Sequence, residues 1–365
     1  MTIVHTMNTV FGKADQYGAR SGHICGFSAA RYPVEVFARG TAMGETNEGP
    51  VVHVVNLPFR YQILRYSMAL LRQKPIQRHA IWRGFDTRLS QTVRRLKVAD
   101  VKILHTWEWI PKTIRVLKEK NPGLKIIRDV VVNRYNEFYS GTPITEEETV
   151  TDIFLSPSSF STGQLLSWGI PEHKIVEIPF GVDTKLFRPA STIGDGPLRF
   201  AFTGGISKRK GVDSLLRVWK RLDLADAELH LYGRVREDVA RNLKGAKNVI
   251  CHGYIPLSEE LPKNHIFVFP STLEGSAKSV YEALACGLPV ITTPNSGSVV
   301  RNGIEGIIVT AGDDDELEDA MLSLYRDTEL RAKYSSNARA RAEEFTWDRY
   351  AGEVWAVYKR LIYSQ

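Results

Sequence analysis

Cysteine is scarce in this chain of 365 residues. Cys25, Cys251 and Cys286 are odd in number and far apart. They support neither a disulfide framework nor a zinc ribbon, so a reducing cytoplasm is the expected location. No run of about 18 apolar residues occurs, which excludes a membrane-spanning helix. The opening MTIVHTMNTVFGKADQ lacks the basic and long apolar regions of a secretory leader, so none is expected. Tandem repeats and low-complexity tracts are missing. No Gly-x-Gly-x-x-Gly follows the first apolar run, which argues against a dehydrogenase. What is present is ordinary for a folded protein: 43% hydrophobic and 24% charged residues, in a length that suits two domains with separate cores.

Charge is unevenly placed. Residues 1–190 carry 25 basic and 17 acidic side chains, whereas residues 191–365 carry 23 and 24. Between Arg60 and Lys102, eleven Lys and Arg residues meet only Asp86 and Asp100. The overall +7 therefore belongs to the first half, and an anionic partner should dock there.

Short apolar runs alternate with helical stretches. Ile3–His5, Val51–Val55, Ile103-Leu104, Lys125–Ile127, Ile153–Leu155 and Ile175–Ile178 read as buried strands. Ile110–Leu117, with Pro111 near its start, and Ser161–Gly169 read as helices. Pro179–Asp183, Arg188-Pro189 and Gly194–Pro197 break the pattern and form the linker candidate. A second series follows: Leu198–Phe202, Glu228–Gly233, Val249–Cys251, His265–Pro270, Pro289–Thr292 and Ile307–Val309. Thr346–Tyr363 has apolar residues at Tyr350, Val354, Val357, Tyr358 and Leu361, a helix with one buried face. Strand and helix in alternation predict α/β architecture with two doubly wound parallel sheets. The expected division is 1–182, 183–345 and a terminal helix, 346–365, packing back across the joint.

The richest segment is Glu274–Val290. Gly275, Ser276 and Ala277 are small, so a ligand can approach the backbone where the next helix begins. Free N–H groups and the positive dipole end there make a phosphate site. Glu282, eight residues after Glu274, lies about two turns along. The two carboxylates can hold hydroxyls on either side of a pyrophosphate. Asp313–Glu316 resembles a metal cluster but reads as the cap of a helix over Leu317–Tyr325.

Glu274 and Glu282, with Ala283, Gly287, Pro289 and Val290, resemble the paired-glutamate block of retaining glycosyltransferases of family 4 type, which have the GT-B fold. Gly204–Asp213 resembles that family's glycine-basic loop, Val176–Pro189 its interdomain segment, and Arg301–Val309 the strand after its donor site. The likeness runs from about Asp152 to the C-terminus. It implies two Rossmann-like domains facing a cleft, the first for the acceptor and the second for a nucleotide sugar. It also implies that a hexose moves to an acceptor hydroxyl, in glycolipid or polysaccharide synthesis. Glu282 would hold the ribose, Glu274 the donor sugar, and the amides of Gly275, Ser276, Ala277 and Lys278 the pyrophosphate. Lys210 would neutralise the leaving phosphate. Relatives often carry Arg where this chain has Gly205; Arg209, or less readily Lys208, is the substitute charge. His105, after a first-half strand, matches a His that relatives place near the donor sugar, although a lone His is more often structural. Tyr254 matches the loop bordering the base, and Gly12 the phosphate or acceptor loop. The fold generally uses helix and lysine charge, so neither metal nor cofactor is expected.

The Arg60–Lys102 stretch then reads as an anionic-membrane surface, through a basic helix around Arg65–Arg72, or as an attractor of a phosphate-bearing lipid acceptor. A solvated basic face is the plain alternative. The first reading implies peripheral attachment to the inner face of the cytoplasmic membrane. Nucleic acid is disfavoured, because no recognised module accompanies the charge. Two other functions remain open: a sugar-nucleotide-binding partner that has lost transfer, and an epimerase or phosphorylase.

Overall fold

The computed structural model describes residues 2–11, 24, 34–41, 51–54, 75–94, 101–107, 110–130, 149–191 and 196–363. Its frame is two wholly parallel sheets. The first has seven strands: β1 (Thr2–Phe11), β2 (Val34–Thr41), β3 (Val51–Val54), β4 (Val101–Thr106), β5 (Lys125–Asp129), β6 (Ile153–Ser156) and β7 (Ile175–Glu177). They lie in the order β3-β2-β1-β4-β5-β6-β7. The second has six: β8 (Leu198–Thr203), β9 (Ala227–Tyr232), β10 (Val249–Gly253), β11 (Ile266–Phe269), β12 (Val290–Thr292) and β13 (Gly306–Ile308). Their order is β10-β9-β8-β11-β12-β13.

In both sheets the winding reverses beside the first strand, which leaves a crevice at the strands' carboxyl ends. In the second sheet that crevice lies between the loops after β8 and β11. Both strands are covered on each face, and accordingly Phe200, Phe202, Phe267 and Phe269 are fully buried.

Helices α1 (Pro75–Arg94), α2 (Pro111–Lys120) and α3 (Ser159–Ser167) flank the first sheet. Helix α2 begins on Pro111, whose missing N–H costs nothing there. Asp86 of α1 caps it from outside, accepting from Lys112 N at 3.0 Å and Thr113 N at 2.9 Å. Burial pushes the Asp86 carboxyl above its usual range, although those N–H bonds oppose the shift. Gly12 and much of Arg60–Lys102, including Arg65–Arg72, lie outside the described residues.

The second sheet carries α4 (Val212–Leu222), α5 (Lys278–Ala285), α6 (Asp314–Arg326) and α7 (Thr328–Glu343). Asp313 caps α6, its Oδ1 accepting from Asp315 N and Glu316 N at 3.0 Å. The acidic run thus serves the helix terminus.

Helix α8 (Trp347–Tyr363) returns to the first sheet. Its start is pinned by Val182 N donating to Phe345 O at 2.9 Å and by Phe180 against Trp347 and Tyr350. Its far end carries Tyr358 to His105 on β4. Among the described residues no helix is long and apolar enough to cross a membrane.

Candidate functional site

The loop after β8 runs Gly204–Ser207 into a single tight turn, Lys208–Lys210, closed by Gly211 in the left-handed region at φ +74°. A Cβ there would collide with the Pro270 carbonyl, so only glycine brings this loop against the end of β11. Arg209 O in turn accepts from Thr272 N at 3.0 Å and from Thr272 Oγ1 at 2.9 Å. The two loops flanking the crevice are therefore tied to one another.

Between them lies a cavity of about 570 Å3. Gly205, Lys210, Tyr254, Glu274, Ser276, Ala277, Lys278 and Glu282, all singled out in the sequence, line it. Glu274 Oε1 accepts from Arg209 Nη1 at 2.7 Å and lies 3.0 Å from Lys210 Nζ. The Lys210 ammonium also sits 4.9 Å from the centre of the Phe269 ring. It is thereby held by charge on one side and by ring face on the other.

Glu282 is buried on the inner face of α5. Its Oε1 lies 3.3 Å from Lys278 Nζ, one helical turn earlier. Burial pushes this carboxyl above the usual glutamate range, while Lys278 and Lys210 pull it down by less. Counted by formal charge, the cavity pairs two carboxylates with two lysines. A bound anion must therefore be met by further cations or by backbone dipoles.

Backbone dipoles are available. Helix α5 starts at Lys278 with no side-chain cap on Ala277, leaving its first N–H groups without intrahelical partners. Lys278 and Ser279, its first two residues, both line the cavity.

Three expected members do not line the cavity: Arg209, His105 and Gly275, whose carbonyl faces Ser158 and Ser161 of α3. Arg209 does not line the cavity; its Nη1 donates to Glu274 and to Leu273 O, so it orients Glu274 from outside. Space beside Gly205 is approached instead by Arg236, whose Nε lies 4.0 Å from where a Gly205 Cβ would be. His105 is fully buried in the first sheet. Its Nδ1 is 2.5 Å from Tyr358 Oη, its Nε2 is 2.9 Å from Asp129 Oδ2, and Trp107 stacks on its ring at 4.5 Å. The geometry makes it a tie between β4, β5 and α8, the structural alternative already weighed for a lone His.

The sequence reading missed Tyr232 at the end of β9, Gly233 after it, and Leu257 beyond the Tyr254-Ile255-Pro256 loop, all on the cavity wall. It also missed Ser158 and Ser161, which hold Gly275 from α3. A Ser-x-x-Ser after a strand is a helix-start signal and could have marked them. A larger cavity of about 760 Å3 opens beside α4, from Lys208 to Asn248. It contains neither glutamate and none of the α5 amides, so the chemistry is assigned to the smaller one.

Residues 183–341 match the profile described as glycosyl transferases group 1. An MMP alpha-(1->4)-mannosyltransferase of Mycolicibacterium hassiacum is 30% identical over 228 residues, 57% of this chain and 54% of that one. A GDP-mannose-dependent monoacylated alpha-(1-6)-phosphatidylinositol monomannoside mannosyltransferase of Corynebacterium glutamicum is 28% identical over 373 residues, 91% of each chain. The chain spans about half the length of several curated relatives that it matches. Among solved structures, Anabaena HepE in complex with UDP-glucose superposes with a TM-score of 0.73 at 15% identity, over 98% of this chain and 100% of that one. A likeness at that identity speaks for the fold. The match to glycosyl transferases group 1 thus spans residues 183–341, the second sheet of a GT-B frame of two parallel sheets with a returning C-terminal helix.

Proposed function

We propose that the chain transfers a hexose from a nucleoside diphosphate sugar to an acceptor hydroxyl, with retention at the anomeric carbon and without a metal ion. One observation carries the reading. A single cavity at the crevice of the second sheet is lined at once by Glu274, Glu282, Lys210, Lys278 and the amino end of α5. In this reading Glu282 accepts from the ribose hydroxyls, its Oε2 having no partner among the described residues. Glu274, oriented by Arg209 and Lys210, accepts from hydroxyls of the donor sugar. The diphosphate lies on the α5 amides, and Lys210 meets the charge that develops as it leaves. Arg236, rather than Arg209, supplies the further cation near Gly205.

Tyr254, 86% exposed at the cavity mouth, offers the nucleobase an aromatic face. The acceptor comes from the side of the first sheet, whose half of the sequence carries the positive excess. The Corynebacterium glutamicum relative, named for mannosyl transfer to a phosphatidylinositol monomannoside, favours an anionic lipid acceptor and a membrane surface bearing it. The same relative puts GDP-mannose first among donors to test.

Thermal melts across UDP-, GDP- and ADP-sugars test the donor assignment, because a ligand bound only by the folded state raises Tm. A rise for one nucleotide series supports the reading, and no rise for any contradicts it. Product analysis on the responding donor then separates transfer from epimerisation, phosphorolysis or binding without turnover.

A further inference from the structure

The donor loop is shaped from the other half of the molecule. Ser158 and Ser161 open α3, which follows β6 of the first sheet. Ser158 Oγ lies 2.6 Å and Ser161 Oγ 2.8 Å from the carbonyl oxygen of Gly275, 117 and 114 residues away. Both serines are buried. Gly297, in the left-handed region at φ +60°, lets the chain pass behind this carbonyl; a Cβ there would strike both Gly275 O and Ser158 Oγ.

Two donors on either side are spoken for. Glu274 N donates to Asn295 O at 2.8 Å and Ala277 N to Ser296 O at 2.9 Å. Ser276 Oγ lies 3.1 Å from the buried hydroxyl of Tyr281, which burial pushes up to about 12 and so keeps protonated. The Ser276 N–H has no acceptor among the described residues. A trans peptide sets its C=O and N–H on opposite sides. Fixing Gly275 O on two hydroxyls of α3 therefore turns the Ser276 N–H away from α3, on a residue that lines the cavity.

We infer that Ser158 and Ser161 are positioning residues of the donor site: they hold the Gly275–Ser276 peptide so that the Ser276 N–H meets the diphosphate of the donor. This deepens the reading given under Proposed function and rests on it. It also makes the shape of the phosphate loop depend on how the first sheet's α3 is seated against it.

Ser161→Ala is the cleaner variant, because Ser158 also caps α3 by accepting from Ser161 N. The probe is whichever of UDP, GDP or ADP the wild-type chain binds, compared with its own nucleoside by calorimetry. Loss of one charge-assisted contact should weaken the diphosphate about tenfold in Ser161→Ala and more in the Ser158→Ala/Ser161→Ala double variant. Nucleoside affinity should stay unchanged, and Ser158→Thr, which keeps the hydroxyl, should bind like wild type. Unchanged diphosphate affinity in the double variant overturns the inference. So does equal weakening of nucleoside and diphosphate, which would mean that the loop had merely collapsed. If the wild-type chain binds none of the three diphosphates, the proposed function itself falls.

Discussion

Replacing Glu282 by Gln should move affinity and stability in opposite directions. The wild-type carboxylate is buried, has Lys278 in contact and Lys210 farther off, and is pushed above the ordinary glutamate value of 4.5 chiefly by that burial. A folded-state pKa above the unfolded one favours folding below the unfolded value, and this contribution is lost as pH rises through the folded value. At neutral pH the empty site therefore holds a charge that opposes folding. Gln keeps the shape and removes that charge. Lys278 loses its partner, but with its side chain 32% exposed it can turn to solvent. The unliganded variant should melt at or above the wild-type temperature.

Binding should suffer. Two ribose hydroxyls on a carboxylate are charge-assisted bonds of about 1.5–3 kcal/mol each, and Gln retains one acceptor. Losing one such bond weakens the nucleoside diphosphate by about ten- to a hundredfold. Wild-type affinity should improve as pH rises through the Glu282 pKa, and the Gln variant should show no such step. Calorimetric titration across pH, with melts of the unliganded proteins, measures both. Wild-type affinity in Glu282→Gln, or a large loss of Tm, would refute the reasoning.

Other substitutions read different parts of the account. Lys210→Ala should leave the fold intact and lower kcat by about 10²–10³-fold, the scale of a lost transition-state charge; kcat within twofold of wild type would remove it from the chemistry. Tyr358→Phe should cost about 1–3 kcal/mol of stability by taking a partner from buried His105, with kcat nearly unchanged. A large fall in kcat at unchanged Tm would instead return His105 to the active site. Arg236→Ala should weaken diphosphate binding severalfold with a reduced salt dependence, and an unaltered titration would show that the space beside Gly205 is not used. Vesicles with phosphatidylinositol should co-sediment the chain, and neutral phosphatidylcholine vesicles should not; equal recovery on both would remove the membrane reading.

The sequence disclosed the sheets better than the site's walls. Buried parallel strands are near-continuous apolar runs, so Phe200–Phe202 and Ile266–Phe269 stand out against polar loops. Strand β2 was missed because it alternates: Val34 and Val36 face the core, but Glu35 and Arg39 interrupt the run. Helix α7 was missed for a related reason. Its buried residues are Tyr334, Ala338 and Ala342, and alanine carries little hydrophobic contrast.

Local motifs show which residues can meet a phosphate, and Gly275–Lys278 beside Glu282 was legible on that ground. What sits against them from distant segments was not. The Ser158 and Ser161 contacts with Gly275, and the covering of His105 by Tyr358, depend on how elements more than a hundred residues apart are brought together. The strand end that should expose His105 is covered by α8, so a position right for a site became a position in the core.

Transfer with retention from a nucleoside diphosphate sugar can be observed at the anomeric carbon itself. It is tested most directly by following GDP-mannose labelled with ¹³C at the anomeric carbon, in the presence of a phosphatidylinositol glycolipid, by NMR. A new glycosidic signal with the donor's α configuration should form along with GDP, without added metal, and be lost in Glu282→Ala. A β product, or a signal that Glu282→Ala leaves undiminished, would contradict it.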